Sequence, residues 1–150
     1  MNVLEHLEPK SVFRFFEEMC AIPHGSRNTK AVSDWCADFA RTRGLEYHQD
    51  GDNNIIIIKE AAPGYEAAPP VILQGHLDMV CEQTADCQKD MSREGLDLAV
   101  DGDFVYAKGT TLGGDDGIAV AMALALLDAK DLPCPRLEAV LTVDEEIGLL

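Results

Sequence analysis

Residues 109–130 read GTTLGGDDGIAVAMALALLDAK, a glycine-rich turn that contains two acidic residues and runs into a stretch of small apolar residues. The alternating Ala and Leu predict a helix that packs closely on a sheet. The glycines permit backbone conformations that a Cβ atom would forbid. We therefore expect Asp115 to lie in a tight turn directly before a buried helix, where a plain helix cap is the simplest alternative role for it.

Apolar and β-branched segments on both sides of this helix predict strands. Residues 71–78 (VILQGHLD) precede it, and residues 137–143 (LEAVLTV) follow it. Further strands are expected at residues 45–50, 55–60, 96–100 and 104–108, the first two joined by the turn DGDNN and the last two forming a hairpin.

Two amphipathic helices are predicted near the N-terminus. They cover residues 11–20 and 27–44, and Ser26 is placed to cap the second one. Because helices and strands alternate, the fold class is α/β, with a mixed, mostly parallel sheet flanked by helices. The chain ends at Leu150, just beyond a predicted strand, so we expect a domain that is cut short.

The composition excludes some classes of partner. The formal net charge is −15, from 12 Lys and Arg against 27 Asp and Glu, which argues against binding to nucleic acid or to an anionic membrane. The N-terminal residues lack the apolar core of a signal peptide, and the five cysteines form no Cys-x-x-Cys pair. We expect reduced thiols and a cytoplasmic protein.

Three short segments at strand or helix ends carry groups that can bind metal. His76 and Asp78 lie two residues apart in an extended chain, so both side chains point to one side; a hydrogen-bonded structural pair is the alternative. Asp115 lies in the glycine-rich turn, which has no lysine for a phosphate. Glu145 and Glu146 follow a buried strand, where a solvated acidic surface is the simpler interpretation. Together the segments offer the ligand types of a zinc hydrolase.

The segments GHLDM (75–79), GTTLGGDDGIA (109–119) and LTVDEEIG (141–148) occur in this order and spacing. They resemble the metallopeptidases of the aminoacylase and glutamate-carboxypeptidase clan, and most of all its aminoacyl-histidine dipeptidases, also called cytosolic non-specific dipeptidases. The resemblance implies that residues 1–150 are the N-terminal portion of a zinc-peptidase-like catalytic domain. The lid domain, through which such enzymes dimerise, would be absent.

The same resemblance implies a role for each site residue. His76 would bind one Zn²⁺, Glu146 the second, and Asp115 would bridge the two; Co²⁺ or Mn²⁺ could replace zinc. Asp78 and Glu145 would be catalytic, Asp78 by orienting His76 and Glu145 as general base for a water shared by the metals. Asp116 stands where asparagine is common, and we expect no change in the chemistry.

The implied activity is hydrolysis of dipeptides, Xaa-His among them, by an enzyme that is a homodimer when complete. One further ligand to each zinc would come from beyond this chain, so the chain alone is expected to be inactive. A tripeptidase, carboxypeptidase or N-deacylase of the same clan remains an alternative. A non-catalytic metal-binding fragment is another, and a nucleotide-binding module ranks last.

Overall fold

The computed structural model describes residues 2–149, so the chain end at Leu150 lies outside the described residues. Helices and strands do not alternate regularly as expected, because two helices are followed by five consecutive strands before a third helix and a sixth strand. The elements are α1 (Lys10–Cys20), α2 (Lys30–Thr42), β1 (Glu46–Gln49), β2 (Ile55–Lys59), β3 (Val71–His76), β4 (Leu98–Asp101), β5 (Phe104–Ala107), α3 (Gly114–Asp128), β6 (Leu137–Thr142) and a final 3-10 turn (Glu145–Ile147).

Four of these strands form one mixed sheet in the order β1-β2-β6-β3, which confirms the predicted α/β class. Strands β3 and β6 are parallel, whereas β1 with β2 and β2 with β6 are antiparallel. The expectation of mostly parallel pairing was therefore wrong. The short turn at residues 50–54 forces β1 and β2 into a hairpin, while the longer connection through α3 allows β6 to return parallel to β3.

The core lies on one face of this sheet. Alternate residues of β2 and β6 are buried there, in one apolar cluster with residues from all three helices; these strand residues are Ile55, Ile57, Leu137, Ala139 and Leu141. On the opposite face, Ile56 and Ile72 are 37% and 63% exposed. Within the described residues, the helices thus cover one face of the sheet and leave the other open.

The start of α2 differs from the prediction. This helix begins at Lys30, and Thr29 rather than Ser26 is the residue that precedes its first turn. Ser26 lies in the loop between α1 and α2, where its hydroxyl donates to the Asp78 carboxylate. The predicted cap at Ser26 was therefore wrong, because a partner distant in sequence takes its hydroxyl.

The predicted hairpin is confirmed as β4 and β5, which form a separate two-stranded sheet. All five cysteines are free thiols, as expected. Among residues 2–149, every helix is too short or too polar to cross a membrane.

Candidate metal centre

Three elements bring three potential metal ligands to one point. His76 ends β3, Asp115 lies in the first turn of α3, and Glu146 lies in the 3-10 turn after β6. Because β3 and β6 are parallel neighbours, their carboxyl ends meet at the same edge of the sheet. One nitrogen or oxygen atom of each of these three side chains lies within 4.8 Å of the other two.

The His76 ring is buried, and its two nitrogens have different partners. Nδ1 lies 2.9 Å from the carbonyl oxygen of Asp78 and 3.3 Å from its carboxylate. A proton on Nδ1 satisfies these acceptors and leaves Nε2 facing the Asp115 carboxylate at 3.1 Å. Burial opposes the charged ring, but the hydrogen bond to Asp115 and the charge of Asp78 outweigh it, so the pKa of His76 lies above its ordinary value.

Asp78 is buried and connects the histidine to the acidic turn. Its carboxylate accepts hydrogen bonds from the Ser26 hydroxyl at 2.7 Å and from the backbone amides of Glu145 at 3.1 Å and Glu146 at 3.3 Å. Burial alone would raise the pKa of this carboxyl, but these three donors and His76 hold it below its ordinary value. Asp78 is therefore ionised and fixed against both halves of the site.

The first turn of α3 holds Asp115 outside regular helix geometry. Gly113 has a left-handed φ of 69°, and Asp115 has φ −85° and ψ 109°, which leaves its side chain largely exposed at the site. The Asp116 carboxylate accepts a hydrogen bond from the His76 amide at 3.2 Å and thereby joins α3 to β3. A Cβ atom at Gly75 would lie 3.0 Å from this carboxylate, so only glycine leaves Asp116 undisturbed.

The two glutamates of the final turn occupy different positions. The Glu146 carboxylate belongs to the group with His76 and Asp115. The Glu145 carboxylate lies beside that group, 3.7 Å from His76 Nε2, and is half exposed. One glutamate is thus placed to bind a cation while its neighbour remains available to a nearby substrate or water.

The donor set fits a divalent cation. One imidazole nitrogen and two carboxylates come from three separate elements, which are the ligand types that zinc takes in hydrolases. Within residues 2–149, no Lys or Arg side chain forms an ion pair with Asp115, Glu145 or Glu146, and His76 Nε2 lies 3.1 Å from Asp115 and 3.7 Å from Glu145. A cation would offset this concentration of negative charge.

Two side chains outside the predicted set of site residues contact that set. They are the Ser26 hydroxyl on Asp78 and the Asp116 carboxylate on the His76 amide. Their partners lie 52 and 40 residues away in the chain, so no local pattern in the sequence signals either contact.

Comparison with known sequences finds one clear similarity, although no family model matches. The chain is 37% identical over 149 residues to the cytosol non-specific dipeptidase of Escherichia coli K12, a match that covers 99% of this chain and 31% of that protein.

Comparison with solved structures agrees with this sequence similarity. The crystal structure of aminoacylhistidine dipeptidase from Vibrio alginolyticus superposes with a TM-score of 0.94 at 37% identity, covering 97% of this chain and 30% of that one. A tripeptidase from Staphylococcus aureus, at 19% identity and a TM-score of 0.70 over 93% of this chain and 37% of that one, shares the fold. The resemblance to the aminoacyl-histidine dipeptidases is therefore confirmed over nearly the whole chain, which spans about a third of the length of those relatives.

Proposed function

We propose that this chain forms part of the catalytic domain of a metal-dependent dipeptidase, with dipeptides, Xaa-His among them, as substrates. The observation that carries the proposal is the convergence of His76, Asp115 and Glu146 at one edge of the sheet. The names of the Escherichia coli and Vibrio alginolyticus relatives support the substrate class. Because the chain spans about a third of those relatives, we expect the activity to require a longer polypeptide.

The proposed metals are two Zn²⁺ ions, with Co²⁺ or Mn²⁺ as alternatives. His76 would hold one ion, Glu146 the other, and Asp115 would contact both. When bound, the ions polarise the peptide carbonyl and make a water molecule acidic enough to lose a proton near neutral pH.

The chain supplies the proton transfers and the orientation of the ligands. Glu145, beside the three ligands, would accept the proton of the attacking water and then deliver it to the leaving amine nitrogen. Asp78 would keep the His76 ring turned so that Nε2 faces the metal.

The isolated chain is expected to bind zinc weakly and to hydrolyse no dipeptide. His76 and Asp115 give the first ion two protein ligands, and Asp115 and Glu146 give the second ion two, whereas zinc sites in hydrolases have at least three. The remaining ligands would come from the longer polypeptide.

The proposal extends to the setting of the enzyme. The enzyme would act on a small peptide and would bind neither nucleic acid nor membrane. It would be located in the cytoplasm, and the complete protein would form a homodimer. The relative from Escherichia coli carries the word cytosol in its name, which supports the location.

A chimera tests the activity. This chain would replace the matching stretch of the Escherichia coli relative, and the purified product would be assayed with zinc on a panel of dipeptides. We expect dipeptide hydrolysis, and we expect Glu145→Gln to lower kcat by about 10²- to 10⁴-fold at unchanged zinc content. Glu66→Gln, in the loop between β2 and β3, is the matched control and should retain full activity.

Two outcomes would contradict the proposal. One is a folded, zinc-loaded chimera that cleaves tripeptides or N-acyl amino acids but no dipeptide, which would favour the other activities of the clan. The other is a Glu145→Gln variant that retains the activity of the unmodified chimera.

A further inference from the structure

The Asp78 carboxylate is the point through which the two halves of the candidate centre are connected. Its Oδ1 atom lies 3.3 Å from His76 Nδ1 and accepts from the Glu145 amide, while its Oδ2 atom accepts from the Glu146 amide at 3.3 Å. A rotation of this carboxylate would therefore disturb its contacts with the histidine ring and with the acidic turn together.

Ser26 makes the shortest of the hydrogen bonds to that carboxylate. Its hydroxyl donates to Oδ2 at 2.7 Å, whereas the two backbone amides lie at 3.1 and 3.3 Å. The Asp78 side chain is buried, so no bulk water stands ready to replace a lost donor. Removing the hydroxyl would leave one carboxylate oxygen with only the longer bond from Glu146.

The loop that carries Ser26 is itself fixed to both parts of the site. The Met79 amide donates to the His24 carbonyl at 3.1 Å, and the Ser26 amide donates to the Met79 carbonyl at 3.3 Å. The Arg27 amide donates to Asp144 Oδ1 at 2.6 Å, directly before the two glutamates. The hydroxyl is therefore held in place rather than free to follow a moving carboxylate.

We infer that Ser26 is a positioning residue of the metal centre: its hydroxyl fixes the Asp78 carboxylate so that the Glu145–Glu146 turn lies beside His76. The role of the centre in metal binding rests on the function proposed above, whereas the coupling between Ser26 and the turn does not. Residues that orient metal ligands through hydrogen bonds commonly change metal affinity by about 10- to 100-fold when they are removed.

The test compares variants of the chain by two measurements. The first is the set of amide proton and nitrogen chemical shifts of Glu145 and Glu146 in the metal-free chain; the second is Zn²⁺ affinity by calorimetry. Ser26→Ala should shift both amides and weaken Zn²⁺ binding about tenfold. Ser26→Thr keeps a hydroxyl and should stay close to the unmodified chain, whereas Ser26→Val, which has the same shape as threonine, should behave like Ser26→Ala.

Leu127→Ala is the control for a general loss of stability. Leu127 is buried in the apolar core near the end of α3, whereas Asp115 lies in the first turn of that helix. This variant should lower the melting temperature while leaving the Glu145 and Glu146 amides and the Zn²⁺ affinity unchanged. If Ser26→Ala does not fold, the comparison of Ser26→Thr with Ser26→Val shows whether the hydroxyl positions the turn.

Unchanged Glu145 and Glu146 amides in Ser26→Ala or Ser26→Val would overturn the inference, as would an equal loss of Zn²⁺ affinity in Leu127→Ala. Shifted amides with unchanged Zn²⁺ affinity would also overturn it, because the hydroxyl would then not position the metal centre. If the unmodified chain binds Zn²⁺ too weakly to measure, the Zn²⁺ affinities of the variants are compared in the chimera described above. If the chimera also binds no Zn²⁺, the proposed function fails instead, and the amide comparison alone decides whether Ser26 positions the turn.

Discussion

Gly113 shows how a single residue places a potential ligand. Its φ of 69° lies in the left-handed region, and a Cβ atom there would lie 2.8 Å from Met79 Sδ. We expect Gly113→Ala to destabilise the fold by about 1–2 kcal/mol through its backbone alone, and to displace the turn that carries Asp115. Urea denaturation measures the first effect, and Zn²⁺ calorimetry measures the second as a loss of affinity.

Gly44 provides the matched control. It has a similar φ of 67°, but a Cβ atom there would meet nothing within 4 Å. Gly44→Ala should therefore cost a similar backbone energy without changing Zn²⁺ affinity. Equal Zn²⁺ affinities in the two alanine variants would show that Gly113 does not position Asp115.

The sequence predicts the convergence of His76, Asp115 and Glu146 because each residue lies at the end of a recognisable strand or at the start of a helix. It does not predict the contact from Ser26 to Asp78, which crosses 52 positions of the chain. Ser26 also matches the local pattern of a helix cap, so the nearby helix suggests the wrong partner for its hydroxyl.

At the scale of elements, Asp128 joins all three helices. It ends α3 and accepts hydrogen bonds from Arg14 of α1 at 3.0 Å and from Arg43, just after α2, at 2.6 Å. Partial burial would raise the pKa of this carboxyl, but the bonds and charges of the two arginines outweigh burial and hold it below its ordinary value.

We expect Asp128→Asn to lower the free energy of unfolding by about 1 kcal/mol at pH 7. Because the folded-state pKa is depressed, this stabilisation is present above the unfolded-state value of about 3.9 and is lost as the pH falls through the folded-state value. Urea denaturation from pH 7 down to about pH 2 should therefore show a difference from the unmodified chain that is constant above about pH 4 and shrinks below it. Asp38→Asn is the control: its exposed partner Arg41 lies on the same helix, so this variant should change the free energy of unfolding by less than about 0.5 kcal/mol. If the stability difference between Asp128→Asn and the unmodified chain stays constant over the whole pH range, the account is contradicted.

The positions of the strands are predictable from the sequence, but their pairing directions are only partly so. The five-residue turn at 50–54 is local and specifies the hairpin of β1 and β2. The antiparallel contact between β2 and β6 joins segments about 80 residues apart, and alternating apolar residues fit either direction. That ambiguity explains why mostly parallel pairing was expected.

For the whole molecule, the open face of the sheet is a surface with exposed apolar side chains. Ile72 is 63% exposed on β3, which is an edge strand of the sheet. Exposed apolar residues on an unpaired edge favour association between copies. We expect the isolated chain to self-associate, and Ile72→Lys to reduce this association in sedimentation velocity runs while changing stability by less than about 1 kcal/mol.

Glu66→Gln is the control for charge, since it changes the net charge by the same single unit without touching the sheet. It should leave the association unchanged. If Ile72→Lys and Glu66→Gln sediment alike, the open face does not mediate association.

The central claim is that His76, Asp115 and Glu146 form one centre for divalent cations, and anomalous diffraction at the zinc edge from crystals of the chain grown with Zn²⁺ tests it most directly. The account predicts an anomalous peak about 2.0–2.2 Å from a carboxylate oxygen of Asp115 and from either His76 Nε2 or a carboxylate oxygen of Glu146. A well-diffracting crystal with zinc bound only elsewhere, or with these three side chains too far apart to form one centre, would contradict it.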